Sequence, residues 1–246
     1  VNTPVHTVIL EVTSGDFDLQ SIKRCLRDDR AHARSACDAK GNTLLHYAAL
    51  YDHEASVDLL LKCGADPHLP NRRLVHGIGE TPFNLAAPSS PKAGRLMTLH
   101  WFEHALRGDG PELEYLSGQH QSSLIQYAAK WCDAAEVERI ITKVSPFISN
   151  ASGWTPLHAA CAMPERDGVV AVLAQYYRAQ PSYLKMKTKE AYAASYMYPQ
   201  GTVIVTYPEK LTAGDVGKCR LVQDHRLNDA QRQSIKRSLN HLTYKA

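Results

Sequence analysis

Apolar residues recur along this chain at helical spacing, in short blocks separated by polar, glycine-bearing breaks. Leu19, Ile22 and Leu26 form a first stripe, and Val57, Leu60 and Leu61 a second. Leu96, Leu99, Phe102 and Leu106 follow, then Val137, Ile140, Ile141 and Val144, then Val169, Val170, Val172 and Leu173, and last Ile235, Leu239 and Leu242. Steps of three and four residues put each set on one side of a helix. One stretch breaks the rule. Thr202, Val203, Ile204, Val205 and Thr206 follow a Pro199-Gln200-Gly201 turn and are mostly β-branched, which predicts a short strand. That strand needs a partner, from another chain or from a flanking hairpin.

Ahead of several stripes stands the same phrase. It reads Gly41-Asn42-Thr43-Leu44-Leu45-His46-Tyr47-Ala48-Ala49 in its first full copy and Gly79-Glu80-Thr81-Pro82-Phe83-Asn84-Leu85-Ala86-Ala87 in its next. Ser122-Ser123-Leu124-Ile125-Gln126-Tyr127-Ala128-Ala129 keeps the apolar pair and the double alanine, and Gly153-Trp154-Thr155-Pro156-Leu157-His158-Ala159-Ala160 is the fullest version. Counted from Thr43, Thr81, Ser123 and Thr155, the copies are unevenly spaced, and the last step is the shortest. Threonine or serine caps the first free amides of a helix, and proline fits the first turn, where its missing N–H costs little. Gly64, after the stripe of residues 57–61, suits the left-handed end of a second helix. Each unit is therefore helix, turn, helix, loop, with too little apolar surface to fold alone.

A Thr-Pro-Leu-His-x-Ala phrase recurring at a period of about 33 residues marks the ankyrin repeat, which this sequence resembles. The resemblance implies an all-α ankyrin-repeat solenoid of stacked helix-turn-helix units, stabilised through nearest-neighbour interfaces. Residues 1–36 are expected to form an N-terminal capping repeat, with two short helices around Ser14-Gly15-Asp16. Residues 37–180 are expected to hold about four repeats, starting near 38, 76, 118 and 150. Residues 181–246 are expected to be a degenerate repeat and a basic, non-repeat C-terminal extension of one strand plus a helix. Thr188-Lys189-Glu190-Ala191-Tyr192-Ala193-Ala194, one regular period after Thr155, reads as the degenerate first helix. Longer breaks at residues 67–78, 88–94 and 112–121 account for the irregular spacing, and such insertions fall in loops.

Composition narrows the picture. The chain of 246 residues is 22% charged and 44% hydrophobic, the balance of an ordinary soluble protein. No apolar run approaches the ~20 residues that span a bilayer, and no signal-peptide pattern is read at the start. Cys25, Cys37, Cys63, Cys132, Cys161 and Cys219 lack close paired spacing, which points to reduced packing thiols and an intracellular protein, cytoplasmic or nuclear. Residues 181–246 carry 11 Lys+Arg against 5 Asp+Glu, whereas residues 1–180 carry 17 against 20. The basic end is a solvated helix face around Arg232, Lys236 and Arg237, or a docking patch for an acidic partner or anionic surface. No nucleic-acid module is recognised, so DNA and RNA are not expected partners.

No catalytic, cofactor or metal constellation emerges. His158 lies near Cys161 in sequence, and Cys219 near His225, but the first pair occupies the repeat's own positions. The resemblance implies a non-catalytic interaction module or adaptor, binding an unidentified partner protein along the concave side of fingers and first helices. The variable positions of the repeat carried over to this chain are Lys40, Asn42, Leu50, Tyr51, Ile78 and Glu80, then Gln119, His120, Ser122, Lys130 and Trp131, then Ser152, Trp154 and Met163. Tyr51, Trp131 and Trp154 are the expected anchors, because interface energy concentrates in large aromatic residues. The alternative reading is a stack that delivers a functional C-terminal segment, a basic docking tail or a small catalytic unit, as in an effector acting inside a host cell.

Overall fold

The computed structural model describes residue 8 and residues 18–72, 74–75, 78–86, 91–117, 121–198 and 201–242. The expected turn at Ser14-Gly15-Asp16 and the expected contact residues Gln119 and His120 lie outside them, as does the side chain of Ile78. The chain divides into two compact units, Val1–Glu103 with Ser117–Gln119, and His104–Leu116 with His120–Ala246.

In the first unit, Asp18 accepts the amides of Gln20 and Ser21 and so starts α1 (Leu19–Asp28), whose Ile22, Cys25 and Leu26 are buried. Then come α2 (Arg30–Ser35), α3 (Leu44–Leu50) and α4 (Glu54–Lys62). A small antiparallel hairpin, β1 (Leu74–Val75) and β2 (Ile78–Gly79), precedes α5 (Pro82–Leu85). Most of α6 (Pro91–Arg107) also belongs here. His68, Phe83 and Trp101 form a ring cluster, with His68 edge-on to Trp101 at 4.5 Å between centroids.

The second unit contains α7 (Leu124–Trp131), α8 (Ala134–Ile141), α9 (Pro156–Cys161), α10 (Asp167–Tyr177) and the single turn α11 (Pro181–Leu184). An antiparallel hairpin of β3 (Tyr192–Tyr198) and β4 (Gly201–Tyr207) follows, then α12 (Ala213–Gln223) and α13 (Asp229–Leu242). The strand at residues 202–206 thus pairs within the chain. Two expectations change here. Thr188 does not open a helix; residues 192–198 are strand, because pairing with β4 and burial of Val203, Val205 and Tyr207 outweigh the double alanine. The C-terminal segment is not a lone helix either: α12 and α13 form a further helix pair.

One side-chain position recurs at three joints. There the third residue of a first helix hydrogen-bonds back to its N-cap and forward to a backbone carbonyl. His46 Nδ1 accepts from Thr43 N at 3.1 Å, while Nε2 meets the Glu80 carbonyl at 3.2 Å, one residue before the Thr81 cap. Gln126 accepts from Ser123 N at 2.8 Å and donates to the Trp154 carbonyl at 2.6 Å, one residue before Thr155. His158 accepts from Thr155 N at 3.2 Å and meets the Leu211 carbonyl at 3.1 Å, one residue before Thr212. Thr212 and Asp215 then cap α12 by the same reciprocal box. Both imidazoles are therefore neutral, with Nδ1 as acceptor and Nε2–H as donor.

Two fingers, one inside each unit, share a second construction. Asn71 N donates to Glu80 O at 2.8 Å and its side-chain oxygen takes Glu80 N at 2.9 Å; Thr188 N donates to Leu211 O at 2.9 Å and its hydroxyl takes Leu211 N at 3.1 Å. Arg72 N reaches back to Lys40 O, and Lys189 N to Ser152 O. Thr188 is thus the base of a finger, and the β3–β4 hairpin is that finger enlarged. Gly41 and Gly153 turn the preceding fingers with φ of +81° and +78°, and a Cβ there would sit 2.7 Å from Arg72 N or 2.9 Å from Lys189 N.

The last pair is locked by charge. Arg220 Nε lies 2.7 Å from Asp224 Oδ2 with both side chains out of solvent, and Arg220 donates to the Ala162 carbonyl after α9. Asp224→Ala leaves the guanidinium buried without its counter-charge and is expected to destabilise the chain by about 3–5 kcal/mol in urea titration. Replacing both residues with leucine is expected to recover most of that loss.

Burial pushes His46 and His158 down from 6.5 to about 4. Between those limits the unfolded chain binds the proton and the folded chain does not. The stability is therefore full above pH 6.5 and falls as pH drops toward 4, by on the order of 1 kcal/mol per pH unit per ring. His68, also held at about 4 by burial, adds its own share. His46→Gln with His158→Gln copies the arrangement at Gln126. It is expected to keep most of the stability at neutral pH and to flatten its decline between pH 6 and 5, leaving the His68 share, as read by urea midpoints.

Candidate partner-binding surfaces

The clamps and finger bases occupy much of each repeated phrase, so candidate contacts are the residues those tasks leave exposed. In the first unit Lys40 is exposed at a finger and Tyr51, just past α3, is 45% exposed. Leu50 is half-buried at the last position of α3, and Glu80 is half-buried with its backbone held by Asn71 and His46. Asn42 differs from expectation. It is 9% exposed, donates to the Tyr47 hydroxyl and accepts from the Asn71 amide at 2.7 Å, so it braces the finger rather than facing a partner.

A groove of about 590 Å³ opens just past Tyr51, lined by Asp52, His53, Glu54, Ala55, Asp58, Lys92 and Leu96. Asp52 adopts a left-handed φ of +53° and accepts the Ala93 amide at 2.8 Å. Burial raises its carboxyl above the ordinary value. Lys92 and Lys62 offset Glu54 and Asp58 at 3.4 and 2.6 Å. Sequence reasoning stopped at Tyr51 and did not include these residues, because a first-helix register says nothing about the start of the second helix.

In the second unit Ser122, Lys130, Ser152 and Trp154 are half-buried. The Lys130 ammonium lies 4.6 Å from the centre of the Trp131 ring, and burial pushes it down to about 8. Ser152 donates to Glu190 at 3.1 Å. Trp154 packs edge-on to Tyr207 at 5.4 Å, so the enlarged finger covers part of its ring. Two expected contacts are withdrawn. Trp131 is 1% exposed and stacks in parallel on Tyr127 at 5.3 Å. Met163 is 4% exposed and packs in the cluster of Val203, Val205, Tyr207 and Val216. A repeat register places such residues on the outer side, but the local aromatic stack and the enlarged finger close over them.

The His158–Cys161 pair does other work. His158 spends both ring nitrogens on its clamp, and burial raises the Cys161 thiol to about 12, which leaves no thiolate at neutral pH. Burial also raises the Cys219 thiol above its ordinary value. No helix among the described residues is long and apolar enough to cross a membrane.

A family model described as the ankyrin repeat matches residues 40–72. Among solved structures, EF0377, an ankyrin repeat protein, is 15% identical with a TM-score of 0.53, over 99% of this chain and 100% of its own. A chain in the complex of the Bd0816 predatory endopeptidase from Bdellovibrio bacteriovorus with immunity protein Bd3460 is 21% identical with a TM-score of 0.48, over 94% of this chain and 95% of that one. No curated protein matches. Residues 40–72 are thus an ankyrin repeat, and the likeness to EF0377, with the clamp that recurs at three helix pairs, gives the chain an ankyrin-repeat fold.

Proposed function

We propose that the chain is a non-catalytic interaction module that binds a partner protein through the residues its repeats leave exposed on fingers and first helices. The observation that carries this reading is Tyr51. It is a large aromatic residue, 45% exposed at the end of a first helix and next to an open groove. Aromatic side chains at such places concentrate binding energy. Lys40 and Leu50 are the further candidate contacts of the first unit, and Lys130 and Trp154 are those of the second, each set standing by itself. The buried pattern residues serve folding, which agrees with a scaffold whose specificity lies in its departures from the repeat.

The alternative, a stack that delivers a separate functional C-terminal segment, finds less support. β3, β4, α12 and α13 follow Thr188; Arg220 of α12 bonds the Ala162 carbonyl, while Arg237 and Ser234 of α13 bond Asp167 at the start of α10. That segment is built into the second unit. An intracellular role as an adaptor follows from the reading and is part of the proposal.

The test begins with affinity capture by the whole chain, followed by titration of the captured protein. Tyr51→Ala is expected to weaken that complex by over ~1 kcal/mol, with Lys40→Ala contributing less. Trp131→Ala is expected to lower the unfolding midpoint. Unchanged affinity in both Tyr51→Ala and Lys130→Ala would remove the first-helix reading.

A further inference from the structure

The enlarged finger has two long edges, and among the described residues a covering side chain stands at the β4 edge. On the β4 side, the Gln223 amide donates to Thr206 O at 2.8 Å, and its oxygen accepts Thr206 N at 2.8 Å. Thr206 therefore points its backbone groups away from β3. In an antiparallel ladder such residues face others that also point outward. The register pairs Thr206 with Ala193, Ile204 with Ser195 and Thr202 with Met197. The N–H and C=O groups of Ala193, Ser195 and Met197 consequently line the far edge of β3.

Exposed strand edges are normally blunted by charge, proline or a covering side chain. Gln223 does this for β4. Tyr192-Ala193-Ala194-Ser195-Tyr196-Met197-Tyr198 contains no charged residue and no proline, so β3 carries neither of the first two devices. Its approach is strongly charged instead: Lys185, Lys187 and Lys189 are all exposed in the five residues that lead toward it. Two acidic residues stand nearby, but Glu190 takes the Ser152 hydroxyl and Glu209 pairs with Lys210 at 3.3 Å.

We infer that the β3 edge receives an extended segment of a partner protein as an added antiparallel strand, with acidic residues at that segment's C-terminal end. Antiparallel pairing brings that end to the start of β3, where the three lysines stand. Main-chain hydrogen bonds supply affinity in such strand addition, and flanking charge supplies direction. A second copy of this chain fits less well. Pairing of β3 with β3 about Ser195 sets Pro199, Gln200 and Gly201 toward the lysines, and none of these carries a negative charge. The inference goes beyond the first-helix reading and shares no residue with Tyr51.

The test uses the full chain and a labelled synthetic peptide of alternating threonine and valine with three glutamates at its C-terminal end, followed by fluorescence anisotropy. The peptide is expected to bind, and to weaken as salt rises. Ser195→Pro removes an outward N–H without touching the β3–β4 ladder, as proline does on an edge strand, and is expected to weaken binding about tenfold. Lys185→Glu with Lys187→Glu is expected to weaken it similarly, and Tyr51→Ala to leave it unchanged. Circular dichroism checks the proline variant; if it unfolds, the charge-reversed variant decides. The inference fails if the peptide does not bind or if a lysine-tailed peptide binds as well. It fails if a folded Ser195→Pro, or the charge-reversed chain, keeps wild-type affinity. Self-association of the wild type that Ser195→Pro abolishes would also overturn it, by making the occupant a second copy.

Discussion

The structure depends on one buried hydrogen-bonded joint, repeated with different side chains. A residue at the third position of a first helix satisfies its own N-cap and a carbonyl at the foot of the following finger. The joint closes local and neighbouring backbone groups at once, which matters because an unpaired buried polar group is costly. It also explains why histidine and glutamine both serve: each offers an acceptor on one side and a donor on the other. Asn84 makes the local half of the joint, through Thr81. Asp215 does the same at Thr212, where an acceptor-only side chain fits the last pair.

Because the joint fixes the foot of each finger, the finger itself is free to grow. Asn71 with Glu80, and Thr188 with Leu211, close the same backbone exchange around loops of very different length. A longer loop adds only slowly to closure entropy. The enlarged finger then contributes to its own support: Val203, Val205 and Tyr207 fill a cluster with Met163 and Val216, and Gln223 secures the β4 edge. Insertion and packing are coupled there, so the surface that resulted differs from the one a regular repeat presents.

The same physics sets what the sequence makes legible. Thr43, Thr81, Ser123 and Thr155 are readable because cap, apolar pair and double alanine fall at fixed offsets. Thr212 is not, since Ala213-Gly214-Asp215 lacks the proline and histidine, a buried Arg220 interrupts the apolar side, and the step from Thr155 is far longer than one repeat. Thr188 misleads by standing at the regular period with two alanines nearby, while strand pairing decides the outcome. Among the candidate contacts, Tyr51 and Lys40 are exposed as the register implies. Trp131, Met163 and Asn42 are not, because stacking on Tyr127, cover by the finger and bracing of Asn71 depend on neighbours that a one-dimensional register does not contain.

The most direct measurement of the joint is side-chain nitrogen NMR of the histidines, followed from neutral pH to about pH 5. The account predicts that His46 and His158 remain neutral throughout, with Nε2 protonated, Nδ1 bare and the Nε2 proton slow to exchange. Imidazolium signals from either ring near pH 6, or an Nδ1-protonated tautomer, would contradict it.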